Sequence, residues 1–242
     1  MKISTLIKRI YFYSVLYFLT SCQSKQLLKT TDSYQSLTGN YTYEIWGNKN
    51  LDVAIFLNGD TIPEAKSNID WKLAGQNGKP AWCYYENNPE NGKIYGKLYN
   101  WYAINDSRGL VPPNWNICDK DDFSHLKILV QTSEKNNGGK KLKSKTGWKT
   151  KKIFNVNVSG FTALPGGVRD SEGVFYDIGA GGYFWSSSSE KGYEKAWHMK
   201  LYDNFNYVDL GLENKSLGMS VRCSVGSMLE GPLEEPSIPT KK

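Results

Sequence analysis

The 242-residue sequence predicts an α+β domain of short antiparallel strands with long loops and one or two helices. Three observations point there. Turn signals are dense: Asn58-Gly59-Asp60, Asn77-Gly78, Asn91-Gly92, Pro112-Pro113, Gly138-Gly139, Pro165-Gly166-Gly167 and Gly181-Gly182, with only short apolar pieces between them. That spacing argues against a helical bundle or a regular βαβ alternation. A single well-marked helical period follows Asp119. Finally, 14% of the residues are aromatic, and large rings supply much buried area per residue to a loop-rich fold.

The chain opens on an export signal. Lys2, Lys8 and Arg9 precede an apolar run over 10–19. The run is half the roughly 20 residues a membrane-spanning helix needs, and reads as a signal h-region. It ends at Leu19-Thr20-Ser21-Cys22, a lipobox pattern with small residues before the cut and a thiol to accept the lipid. Residues 1–21 are therefore expected to be a lipoprotein signal peptide, with Cys22 as the lipid attachment site and the membrane as a partner through that anchor. Loss of the signal removes three of the basic residues behind the formal +6 charge. What remains is weak for a nucleic-acid binder, and no nucleic-acid partner is expected.

Residues 22–40, rich in Lys, Ser, Thr and Gln, read as a tether, and the Pro- and charge-rich stretch 227–242 as a disordered tail. The folded unit is expected over 41–226. Within it a helix starts at Asp119, which can cap the first-turn amides while Asp122 answers from three residues on. Phe123, Leu126, Leu129 and Val130 then form one apolar face. A shorter helix is expected over 67–74, and late strands over 196–201, 207–210 and 218–223. The basic run Lys140-Lys141-Leu142-Lys143-Ser144-Lys145, extended by Lys149, Lys151 and Lys152, reads as a solvated loop.

Candidate chemistry is sparse. His125 lies off the apolar helix face, on the surface, and His198 in a strand reads as structural. No serine sits in a nucleophile-elbow pattern, and no cofactor is implied. The loop Glu86-Asn87-Asn88-Pro89-Glu90-Asn91-Gly92 reads as two consecutive turns. Glu86, Asn88 and Glu90 are a weak calcium candidate, short of the carboxylates such a site usually has. Arg169 and Arg222 read as buried structural arginines. Tyr202, Phe205 and Tyr207, around Asp203 and Asn204, are the candidate exposed aromatic surface for a ligand. Besides Cys22 there are Cys83, Cys118 and Cys223; three thiols allow three single pairings.

A longer series of motifs runs through the domain. It includes Asn58-Gly59-Asp60 with Ile62-Pro63, Trp71, Gly78-Lys79-Pro80-Ala81-Trp82-Cys83-Tyr84-Tyr85, and Tyr95-Gly96-Lys97-Leu98-Tyr99-Asn100-Trp101-Tyr102-Ala103. Pro112-x-x-Trp115, Gly147-Trp148, Ser159-Gly160-Phe161-x-Ala163-Leu164-Pro165-Gly166-Gly167-x-Arg169, Phe184-Trp185-Ser186-Ser187 and Ser220-Val221-Arg222-Cys223 complete it. In this order they resemble the Fibrobacter succinogenes major paralogous domain family. The resemblance implies a C-type-lectin-like fold, close to that of sulfatase-modifying factors, in exported proteins and lipoproteins of Bacteroidetes. It implies no activity and no catalytic residue. It places Trp82, Trp101, Trp115, Trp148 and Trp185 in core motifs. Many members have a cysteine at the place of Val111 and a proline at that of Cys118, so the usual partner of Cys223 is missing. Cys83–Cys223 is the favoured disulfide in its stead, with Cys118–Cys223 and no bridge as the alternatives.

The expectation is a non-enzymatic, lipid-anchored envelope protein of the outer membrane, periplasmic or surface-facing, that binds a glycan or an envelope protein. A structural protein with no small ligand is the alternative, and a formylglycine-generating-type enzyme a distant third.

Overall fold

The computed structural model describes residues 45–131, 138–150 and 159–225. The signal peptide, Cys22, the tether, the tail, Lys151 and Lys152 lie outside the described residues. The fold is α+β, with strands predominating around a curled sheet. No helix among the described residues is long and apolar enough to cross a membrane.

The centre is a hairpin of two long strands, β7 (Gly181–Ser189) and β8 (Lys195–Tyr202). It extends through β9 (Asp209–Asn214) on one side and through β5 (Gly166–Arg169) and β6 (Phe175–Ile178) on the other. The pairing is not wholly antiparallel as expected: β5 and β10 (Ser220–Val221) both run parallel to β7. A second sheet orders β1 (Ile45–Trp46), β11 (Cys223–Val225) and β4 (Asn116–Ile117). A small ladder pairs β2 (Trp82–Cys83) with β3 (Leu98–Tyr99). Ile45 pairs with Val225, so the first and last described residues meet.

Side-chain alternation gives the central hairpin a core on each face. Tyr183, Trp185 and Ala196 join the cluster with Trp82, Trp101 and Trp115, while Phe184, Met199 and Leu201 join Phe123, Leu126, Trp148 and Phe161. A third cluster holds Trp71, Cys83, Tyr85 and Leu98. All five motif tryptophans are buried, as the family pattern implied. The expected late strands appear, but the middle one starts later, at Asp209, because 203–207 form a turn and loop.

The described residues contain five α-helices rather than one or two. α1 (Asn68–Gln76) is capped by Ser67, whose hydroxyl accepts from the Asp70 amide at 3.0 Å. α2 (Pro89–Tyr95) and the 3-10 turn Tyr85–Asn87 replace the two turns expected there. Asn88 caps α2, with Pro89 at its first position and Gly96 closing it at φ 71°. These are helix start and stop signals as much as turn signals. α3 (Trp101–Ile104) is a single turn capped by Asn100. α4 (Lys120–Gln131) carries the expected capping box: the Asp119 amide donates to Asp122 and the Asp122 amide to Asp119, both at 2.8 Å. Its buried face is narrower than expected. Phe123, Leu126 and Val130 are inside, but Leu129 is 43% exposed.

α5 (Gly138–Leu142) takes up the start of the basic run, and only its later part, with the exposed Lys145 and Lys149, is a solvated loop. Lys143 is almost wholly buried, and Ser144 is buried beside it.

The favoured Cys83–Cys223 bridge is not formed. Cys83, Cys118 and Cys223 are buried, and no disulfide joins them. Each sits in a different apolar cluster. Cys223 pairs with Ile117, which puts Cys118 one residue out of register on the other face of the sheet. Burial pushes the Cys83 thiol up to about 11 and the Cys223 thiol up to about 12.

Candidate functional site

The end of β8 and the loop that leads to β9 carry three rings, Tyr202, Phe205 and Tyr207, each in contact with the next. Phe205 and Tyr207 are 45% and 39% exposed, and their centroids lie 5.3 Å apart with a 40° tilt. Tyr202, partly buried, meets Phe205 edge-on at 6.2 Å and Tyr183 edge-on at 5.9 Å. Of the three candidate surface aromatics, Phe205 and Tyr207 are exposed and Tyr202 is their partly buried inner neighbour.

A loop that exposes two rings needs support from behind, and here it comes from charged and polar groups. The Lys143 ammonium donates to the Tyr202 carbonyl, and to that of Phe205 at 2.7 Å. Its ring partner is Trp148, at 4.9 Å. A third carbonyl, that of Asp203 at 3.5 Å, completes a set that uses all three ammonium donors. The Gly139 amide donates to Asn206 at 2.6 Å, and a Cβ at Gly139 would stand 2.8 Å from the Asn206 and Tyr207 carbonyl oxygens. Only glycine allows α5 to approach so closely. The Asp203 amide donates to Ala180 at 2.8 Å, Asp203 accepts from the Thr150 hydroxyl at 2.8 Å, and Val208 is buried.

The inner end of the ledge is polar. Asp177 Oδ2 lies 2.5 Å from the Tyr183 hydroxyl, which lies 2.9 Å from that of Tyr202. Asp177 holds a left-handed backbone at φ 66°. Burial, then the Asp177 and Tyr202 hydrogen bonds, push the Tyr183 phenol well above its ordinary value. Lys200 reaches Asp209 at 3.4 Å and its ammonium sits 5.9 Å over the Tyr202 ring. Sequence reasoning found the rings but missed Lys143, Asp177 and Tyr183. Lys143 was masked by its basic neighbours, and Asp177 is distant along the chain; the close glycines Gly179, Gly181 and Gly182 were the only local sign of a tight approach.

The other candidates are placed elsewhere. In the weak calcium loop the Asn88 side-chain oxygen accepts from the Glu90 amide, and Glu90 pairs with Lys93. Among the described residues no three His, Cys, Asp or Glu side chains converge as a metal site would require. Arg169 donates to the carbonyls of Gly173, Ala65 and Lys66 and to Asn68, between the Trp71 and Phe175 rings. Arg222 donates to Asn50, Gly47 and Thr162, against Phe161 and Phe184. Both arginines are consumed inside the fold. His198 is buried, and neither ring nitrogen has a hydrogen-bond partner. His125 is half-buried rather than fully on the surface, with an unpartnered Nδ1.

No curated protein and no solved structure matches the chain. The family model described as the Fibrobacter succinogenes major domain matches residues 40–224, which is most of the chain and spans the ledge, its Lys143 support and both buried arginines. The chain belongs to the Fibrobacter succinogenes major domain family.

Proposed function

We propose that the protein is a non-enzymatic binding module, anchored by lipid to the cell envelope, that holds a glycan on the ledge of Tyr202, Phe205 and Tyr207. The carrying observation is the pair of exposed, touching rings of Phe205 and Tyr207 on a loop braced by a buried lysine. Exposed aromatics on a pre-set loop bind without an ordering cost, and their flat faces suit the apolar face of a sugar ring. Tyr176 and Tyr193 are exposed as well, but among the described residues only Phe205 and Tyr207 are two exposed rings in contact; Ile69, Ile94 and Val174 are exposed but aliphatic.

A C-type-lectin-like superfold is part of this reading, supported by the curled sheet and by the pairing of the two chain ends in β1 and β11. The anchor is supported by Cys22 after a short apolar run, and the outer membrane by Gln23 rather than an aspartate behind it. Cys22→Ala is expected to move the protein from the detergent phase to the aqueous phase on phase separation; retention in detergent contradicts lipidation.

Phe205→Ala with Tyr207→Ala is expected to lower binding to an immobilised glycan panel at least about tenfold. The melting temperature should barely move, because exposed substitutions cost about 0.5 kcal/mol or less. Undiminished binding by the double variant contradicts the ledge. A wild-type chain that binds no glycan contradicts the glycan reading and leaves an envelope protein as the ligand to look for.

A further inference from the structure

The hydroxyls at the inner end of the ledge have a fixed direction. An ionised carboxylate can only accept, so at 2.5 Å the proton between Asp177 and Tyr183 comes from the Tyr183 phenol. That phenol has one proton and has spent it. The proton in the 2.9 Å contact between the two tyrosine oxygens therefore belongs to Tyr202. Tyr202 donates inward to Tyr183, which donates to Asp177. The Tyr202 oxygen is left with a lone pair that no donor occupies and with no proton to donate. Its ring meets Phe205, so this acceptor stands at the end of the stacking surface.

The surrounding groups repeat the same polarity. Asp203 accepts from Thr150 through Oδ2 and keeps a second acceptor oxygen. The nearby cations are engaged: Lys143 with backbone carbonyls behind the loop, and Lys200 with Asp209. Lys149 is exposed, and its stem lies against Gly179, two residues beyond Asp177. It is the group that would favour an anion, so the test below includes one.

We propose that the ledge takes a neutral hexopyranose, its apolar face on Phe205 and Tyr207 and one of its hydroxyls donating to Tyr202 Oη. This rests on the glycan reading and adds the chemical class of sugar and the residue that selects it. A carboxylate or sulfate on the sugar would set acceptor against acceptor at Tyr202, and is disfavoured there.

The full-length chain in detergent micelles is titrated calorimetrically with neutral hexasaccharides of glucose, mannose and galactose and with hexagalacturonate. Wild type is expected to bind at least one neutral hexasaccharide about tenfold more tightly than hexagalacturonate. Tyr202→Phe keeps the ring and removes the acceptor. It is expected to weaken neutral binding by up to about tenfold, the worth of one hydrogen bond. Tyr183→Phe frees the Tyr202 proton to point outward and should narrow the preference over hexagalacturonate. Equal binding of the uronate by wild type, or neutral binding unchanged in Tyr202→Phe, overturns this inference while leaving the glycan reading in place. Binding of none of the four hexasaccharides at millimolar concentration overturns both.

Discussion

Replacing Arg222 by methionine is expected to destabilise the domain by about 4 kcal/mol. Arg222 stands between β10 and β11, where the chain leaves one sheet and enters the other. Its guanidinium donates to Asn50 Oδ1 at 2.8 Å, to the Gly47 carbonyl, and to the Thr162 carbonyl at 2.7 Å. One side chain thus ties the loop after β1, the Phe161 segment and the last strands. Burial lowers its pKa to about 10, which still leaves it charged at neutral pH. Methionine fills much of the volume but strands the buried Asn50 and Gly47 oxygens, each worth about 1–3 kcal/mol unpaired, and loses the part-buried contact to Thr162; relief of the buried charge offsets part of that. Lysine does not rescue, because a single ammonium cannot reproduce the planar fork between the Phe161 and Phe184 rings. Urea unfolding of Arg222→Met and Arg222→Lys checks this; losses below about 1 kcal/mol in both would show the network to be dispensable.

The second large effect is a pH dependence set by His198. The residue sits in β8 between Trp185 and Gly211, with its ring edge-on to Trp185 at 6.5 Å. A Cβ at Gly211 would stand 3.2 Å from His198 Cε1, so the space beside the ring is already tight. Burial, reinforced by the nearby Lys200 charge, depresses the imidazole to about 4; Asp209 and the Gly211 backbone pull weakly the other way. In the unfolded chain the same group titrates near 6.5. The folded state keeps His198 neutral, so the unfolded state binds the extra proton between those two values. The His198 contribution to stability is therefore complete above about pH 6.5 and declines as pH falls toward about 4. At pH 4 the loss is on the order of 3 kcal/mol. His198→Leu should flatten that part of the stability profile, whatever it does to stability at neutral pH. Parallel profiles for wild type and variant between pH 6.5 and 4 would contradict the assignment.

The elements most legible in the sequence were those whose signals are local. Asp119 and Asp122 announce α4 through a reciprocal cap, and Ser67 announces α1, because capping acts over three residues. The α2 helix was misread because Asn88-Pro89 and Asn91-Gly92 serve turns and helices alike. Gly92 is there for packing, since a Cβ would press to 2.2 Å from the Tyr84 ring. Leu129 fits a helical stripe, yet the core reaches only as wide as Phe123, Leu126 and Val130 require. The disulfide was out of reach of sequence, since which face of a sheet a cysteine takes depends on strand register. Tyr202, Phe205 and Tyr207 were visible as aromatics free of any core motif. Their bracing by Lys143 and the hydroxyl chain to Asp177 arise from contacts across β6, β7 and α5, which no local pattern records.

The central claim is that Phe205 and Tyr207 form the floor of a sugar site. A crystal structure of the domain grown with a neutral hexasaccharide tests it most directly. The account predicts a pyranose ring stacked on those two side chains, with a sugar oxygen within about 3 Å of Tyr202 Oη. Sugar bound at another surface, with the ledge bare, would contradict it.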